Sequence, residues 1–122
     1  MAHILIADDQ EKIRPMLKSL LEPCGHEVTL AINGREALNQ FRPDKIDLFI
    51  TDILMPDMEG IETIRELRKV DADVKIIDMS GGGTIGATEY LRMAGMFGAK
   101  ETIEKLFNVR DMLDIVSECL KE

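Results

Sequence analysis

The chain has 122 residues, 45% hydrophobic and 31% charged, which is enough to bury one core without disulfides or a structural metal and too apolar for a disordered segment. A net charge of −8 excludes the basic face that nucleic-acid binding requires and favours a divalent cation instead. Charged residues interrupt every apolar run before the roughly eighteen residues of a membrane span, and no basic leader or cleavage site opens the chain, so no membrane association and a cytoplasmic location are expected.

In chain order, residues 4–7 are a continuous apolar run, as expected of a parallel strand covered on both faces, and Asp8 and Asp9 follow directly. Ile13, Met16, Leu17, Leu20 and Leu21 then form a helical stripe; Pro15 inside it requires the helix to begin just before the proline or to kink there. Cys24-Gly25 is a turn signal ahead of a strand over 28–32. The two cysteines, Cys24 and Cys119, lie far apart and form no ligand pattern, so two reduced, buried or half-buried thiols are expected rather than a disulfide.

Ala37, Leu38 and Phe41 make a second, short stripe before a strand over 47–51 that ends at Asp52. A third stripe, Ile61, Ile64, Leu67 and Val70, leads to a strand over 74–79 that ends at Ser80. Tyr90, Leu91, Ala94 and Phe97 form a fourth stripe, stopped by Gly98-Ala99. A strand over 102–104 with Lys105 at its end comes next, and Val109, Met112, Leu113, Val116 and Leu120 close the chain as a fifth helix. Strand and helix alternate five times with no linker or repeat, so residues 1–122 are expected to form one α/β domain: a doubly wound parallel sheet, helices on both faces, three layers in all.

Ligands of such sheets bind beyond the carboxyl ends of the strands. Those ends carry Asp8, Asp9, Asp52, Ser80 and Lys105. Any one of them alone is better read as a helix cap or a solvated charge, but three carboxylates, a hydroxyl and an amine on one rim are not. Like charges about 4 Å apart repel by roughly 4 kcal/mol at an effective dielectric near 20, so the carboxylates need a cation. Oxygen ligands with room for water and phosphate oxygens suit Mg2+. Magnesium and the Lys105 ammonium together balance the three carboxylates, and the same groups suit an incoming phosphoryl group. Asp52 lies centrally and is the expected nucleophile, with Asp8 and Asp9 holding the metal. Asp57 and Glu59, in the loop beyond Asp52, are read as solvated or helix N-terminal charges.

The order Asp8-Asp9, then Asp52-Ile53-Leu54-Met55-Pro56-Asp57-Met58-Glu59-Gly60, then Ser80, then Lys105 resembles the bacterial response regulator receiver domain of two-component signalling, along essentially the whole chain. The resemblance implies a flavodoxin-like sheet in the order 2-1-3-4-5 with five helices. It also implies that Asp52 takes a phosphoryl group from a sensor histidine kinase or phosphotransfer protein. Asp9, Asp52 and the Leu54 backbone carbonyl would bind Mg2+, with Asp8 acting through water, while Ser80 and Lys105 hold the phosphoryl oxygens. A stand-alone receiver without an output domain, monomeric or weakly dimeric, would act on a downstream protein target through a switched surface. It would assist its own phosphorylation and dephosphorylation without being an enzyme on other substrates.

Two departures stand out against that family. Leu106 follows Lys105 where proline is common, and Thr102 stands where many receivers place a switching Tyr or Phe. Lys100 competes with Lys105 for the amine role, but it stands at the start of the last strand, on the order of 16 Å from Lys105 at ~3.3 Å per residue, and only Lys105 reaches the acidic rim. Gly81, Gly82 and Gly83 with Thr84, Ile85 and Gly86 fit a G-x-G-x-x-G phosphate loop, and a nucleotide-binding module is the rival this creates. Against it, a single strand follows, too few for a mononucleotide-binding half, and the plainer reading is an enlarged loop beside the phosphoryl site. A phosphotransfer intermediate or phosphate sink fits the same residues as the signalling module. An aspartyl-nucleophile phosphohydrolase is disfavoured, because Leu54 occupies the place of its second aspartate.

Overall fold

Residues 2–42, 44–52, 60–80, 101–104 and 109–120 are described by the computed structural model; side chains 60, 61, 78, 80 and 101–104 are not. The apolar run near the N-terminus forms β1 (His3–Ala7), and Ile4, Leu5, Ile6 and Ala7 are all completely buried. A strand buried on both faces must sit inside a sheet, with neighbours on both sides and helices above and below. Its neighbours are β2 (Glu27–Ala31) and β3 (Leu48–Asp52), and β4 (Lys75–Ser80) and β5 (Glu101–Glu104) complete the sheet. All pairings are parallel and the order is β2-β1-β3-β4-β5.

Successive side chains of a strand point to opposite faces, and the core divides accordingly. Leu5, Ala7, Phe49 and Ile76 pack with Ala37 and Phe41 of the α2 region and with Ile64 and Leu67 of α3. Ile4, Ile6, Leu48, Ile50, Ile77 and Met79 pack on the other side with Leu17 and Leu21 of α1 and with Met112, Val116 and Cys119 of α4. Here α1 is Ile13–Leu21, α2 Gly34–Gln40, α3 Gly60–Val70 and α4 Val109–Leu120. The result is the expected three-layer, flavodoxin-like arrangement. The helix expected around Tyr90 and Phe97 lies outside the described residues.

Pro15 is the third residue of α1, within the first turn, where backbone amides have no intrahelical acceptor to lose. The helix therefore starts before the proline, one of the two expected solutions. At its far end the chain turns through a 3-10 segment (Glu22–Cys24) into Gly25, whose φ of 94° is left-handed and suits a residue without Cβ. Both cysteines are free, as expected, but Cys24 is exposed, because it ends this surface turn. Val70, assigned to the α3 stripe, is also exposed, because it is the last residue of its helix. Arg68 ties the α3–β4 connection by donating to the Ala72 carbonyl at 2.9 Å and to the Val74 carbonyl. Partial burial pushes its guanidinium pKa down, against the opposing pull of Asp71 and Asp73.

No helix among the described residues is long and apolar enough to cross a membrane.

Candidate functional site

The chain leaves β1 toward β2 on one side and later returns to β3 on the other, so the ends of β1 and β3 flank the point where the winding reverses. A crevice opens beyond the strand ends at such a point. Ala7 pairs with Thr51, so the next residues along the two strands, Asp8 and Asp52, emerge side by side. Carboxylate oxygens of Asp8, Asp9 and Asp52 all lie within 4.8 Å of one another. Asp8 is completely buried and Asp52 is 4% exposed, whereas Asp9 is open to solvent.

The backbone around Asp8 is held from several directions. Its amide donates to the Ala31 carbonyl at 3.1 Å, carrying the β1–β2 ladder one residue past the strand. Its Oδ1 accepts the Gln10 amide at 2.7 Å, an Asx turn closed by the side chain two residues back. Its carbonyl accepts a hydrogen bond from Arg14 Nη1 at 2.9 Å. On the neighbouring strand, the buried Thr51 hydroxyl donates to the Asp52 carbonyl at 2.9 Å. Bonds of this kind fix the backbone from which the carboxylates project.

The donor set suits a small, hard cation. An octahedral Mg2+ with ligands at about 2.0–2.1 Å spans at most about 4.2 Å between opposite ligand atoms, so oxygens already within 4.8 Å need little movement to share one ion. Two of the three carboxylates are buried, where uncompensated repulsion is screened least. The exposed edge at Asp9 leaves a side for water and for a second oxygen-rich group.

Of the residues picked out from the sequence, the structure brings together Asp8, Asp9 and Asp52. Ser80 is the last residue of β4, one step beyond Met79, which pairs with Asp52, so its backbone is on the same rim. Ser80 pairs with Glu104, the last residue of β5, and Lys105 is next in the chain. Lys100 immediately precedes β5, at the opposite end of that strand. Thr102 is within β5. Lys105 itself, Lys100, Leu54, Asp57, Glu59, Leu106, and Gly81 and Gly82 with the rest of the glycine loop lie outside the described residues. Gln10, Arg14 and Thr51 were not singled out from the sequence. An aspartate two residues ahead of Gln10 was an available turn signal; nothing in the spacing marks Arg14, whose partner is a backbone carbonyl.

Comparison with known proteins agrees with this geometry. The family model of the response regulator receiver domain matches residues 4–117. The chemotaxis protein CheY of Thermotoga maritima is 36% identical over 119 residues, a match covering 97% of each chain. A response regulator receiver domain protein from Clostridium thermocellum superposes with a TM-score of 0.90 at 30% identity, covering 98% of this chain and 94% of that one. The response regulator protein TrrA from Thermotoga maritima, solved in complex with Mg(2+)-BeF, superposes with a TM-score of 0.84 at 35% identity, covering 98% of this chain and all of that one.

Proposed function

The chain belongs to the response regulator receiver domain family, and on that footing we propose that Asp52 is its phosphoacceptor, loaded from a phosphohistidine of a sensor kinase or phosphotransfer protein with Mg2+ at the acidic cluster. The observation that carries the reading is the convergence of Asp8, Asp9 and Asp52 within 4.8 Å at the reversal point of the sheet. Asp52 ends the strand central to the five, so its carboxylate faces a donor arriving at the rim. One of its oxygens attacks phosphorus as the P–N bond to the donor histidine breaks; an acyl phosphate forms, and the imidazole leaves with the bonding electrons.

Asp9, the exposed carboxylate, and Asp52 are the proposed direct metal ligands, joined by the Leu54 carbonyl, and the buried Asp8 acts through water. The bound ion supplies neutralisation of charge on the transferring oxygens. Ser80 and Lys105 complete the proposed site by holding those oxygens, a role supported by Ser80 ending β4, by Lys105 following the last residue of β5 in the sequence, and by the family resemblance. That TrrA was solved in complex with Mg(2+)-BeF supports this reading.

The proposed output is a protein surface whose contacts change on phosphorylation, with residues 1–122 acting as one receiver module in the cytoplasm and with no turnover of other substrates. Support comes from the match to CheY over 97% of that protein's length. The test is labelling by a small phosphodonor, acetyl phosphate, with Mg2+. Wild type should incorporate one phosphoryl group, and Asp52→Asn none within detection. Undiminished labelling of Asp52→Asn would remove the acceptor assignment.

A further inference from the structure

The backbone of Asp9, the exposed member of the acidic cluster, lies between Asp8 and Gln10, two residues joined to each other and to α1 by a closed ring of hydrogen bonds. Gln10 N–H donates back to Asp8 Oδ1 at 2.7 Å. The Gln10 carbonyl in turn accepts the amides of Ile13 at 3.1 Å and Arg14 at 3.5 Å, fastening the loop to the first turn of α1. Arg14 Nη1 closes the ring on the Asp8 carbonyl at 2.9 Å. That carbonyl and the Asp9 amide belong to one planar peptide unit, so whatever fixes the direction of the C=O also fixes the backbone from which the Asp9 side chain projects.

From this geometry we infer that Arg14 is a positioning residue for the metal site, holding the Asp8–Asp9 peptide plane so that the Asp9 carboxylate stays within reach of the cation bound by Asp52. The inference rests on the magnesium reading of the acidic cluster and adds a residue to it. Arg14 acts through a backbone carbonyl. Its side chain is partly buried against the loop, which restricts the long stem and lowers the cost of holding the guanidinium in one place.

Charge and geometry make opposite forecasts. A guanidinium near a cation site opposes cation binding, so if charge were all that mattered, removing it would tighten magnesium. Removing a group that orients a ligand loosens metal instead, typically about 10- to 100-fold.

The experiment is magnesium titration of the full chain by calorimetry for wild type, Arg14→Met, Arg14→Lys and Asp9→Asn, with the metal-free urea midpoint and the Asp9 amide 15N shift recorded for each. Met keeps the length and packing of the stem while removing the donor. The expected result is about 10-fold or weaker magnesium binding in Arg14→Met, a displaced Asp9 15N resonance before metal is added, and an unchanged metal-free midpoint. Arg14→Lys, which restores charge and a donor without the planar fork, should lie between Met and wild type, and it carries the test if Arg14→Met does not fold. Equal or tighter magnesium binding in Arg14→Met would overturn the positioning role, as would a loss matched by an equivalent fall in the metal-free midpoint. If wild type binds no magnesium, or Asp9→Asn binds it as wild type does, the failure belongs to the magnesium reading of the cluster and not to Arg14.

Discussion

At the scale of single residues, the acidic cluster is a place where function and stability oppose one another. Asp8 and Asp52 are both buried, with carboxylate oxygens within 4.8 Å, a separation at which two charges repel by roughly 3 kcal/mol at an effective dielectric near 20. Without metal, Asp52→Asn removes that repulsion while keeping the shape of the side chain. Its urea midpoint in the presence of a chelator should exceed that of wild type by the equivalent of about 1–3 kcal/mol. A lower midpoint would mean that Asp52 is held by neighbours that need its charge more than Asp8 resents it. The three carboxylates were legible in the sequence because each follows an apolar strand directly, and a parallel sheet gathers its carboxyl ends on one rim. The groups that aim them were not. Arg14 and Thr51 donate to main-chain carbonyls, which every residue possesses, so no side-chain spacing announces the pairing. Nor does spacing reveal that Asp8 is buried while its neighbour Asp9 is exposed; that follows from the turn Gln10 closes.

At the scale of elements, α2 shows how a very short helix is kept. Seven residues cannot sustain a helix in water without tertiary contacts or capping. Asn33 Oδ1 accepts the Glu36 amide at 2.8 Å, and Glu36 Oε1 reaches back past the cap to accept the Ile32 amide at 2.9 Å, a variant of the capping box at the N-terminus. Asn33→Ala should therefore cost about 1 kcal/mol in urea unfolding, and Asn33→Asp a few tenths at most; equal losses in the two would contradict a capping role. The strands were more legible than the helix faces. Continuous apolar runs marked β1, β3 and β4 to within a residue at each end, because strands buried on both faces tolerate few polar side chains. Helical stripes predict a direction, not where the sheet ends. Met16 and Val70 fall in period yet stay exposed, while Thr63, outside the apolar stripe of its helix, is completely buried. Thr63 can be buried because a hydroxyl on a helix can satisfy itself locally, which hydrophobic periodicity does not register.

At the scale of the whole molecule, the two core clusters hold β1 and β3 in register, and the site lies where that register reaches the carboxyl ends of the two strands. An ion held directly by Asp9 and Asp52, and through water by Asp8, would tie together the ends of the two central strands, and its binding energy should appear as global stability, since the unfolded chain brings no such cluster together. Mass action sets the size: magnesium at 100 times its Kd adds about 2.7 kcal/mol. In a domain of this length that is a rise in Tm on the order of 10 °C. The expected outcome is a Tm that climbs with the logarithm of magnesium concentration in wild type and stays flat in Asp9→Asn. Calcium should give a smaller rise at equal concentration, because an ion that prefers 6–8 oxygens at about 2.3–2.6 Å gains less from three carboxylates and a solvent edge. Differential scanning calorimetry across the two metals checks both parts. A Tm that rises equally in Asp9→Asn would place the stabilising ion elsewhere on this acidic surface, and equal responses to the two metals would point to screening of the −8 net charge rather than to a site.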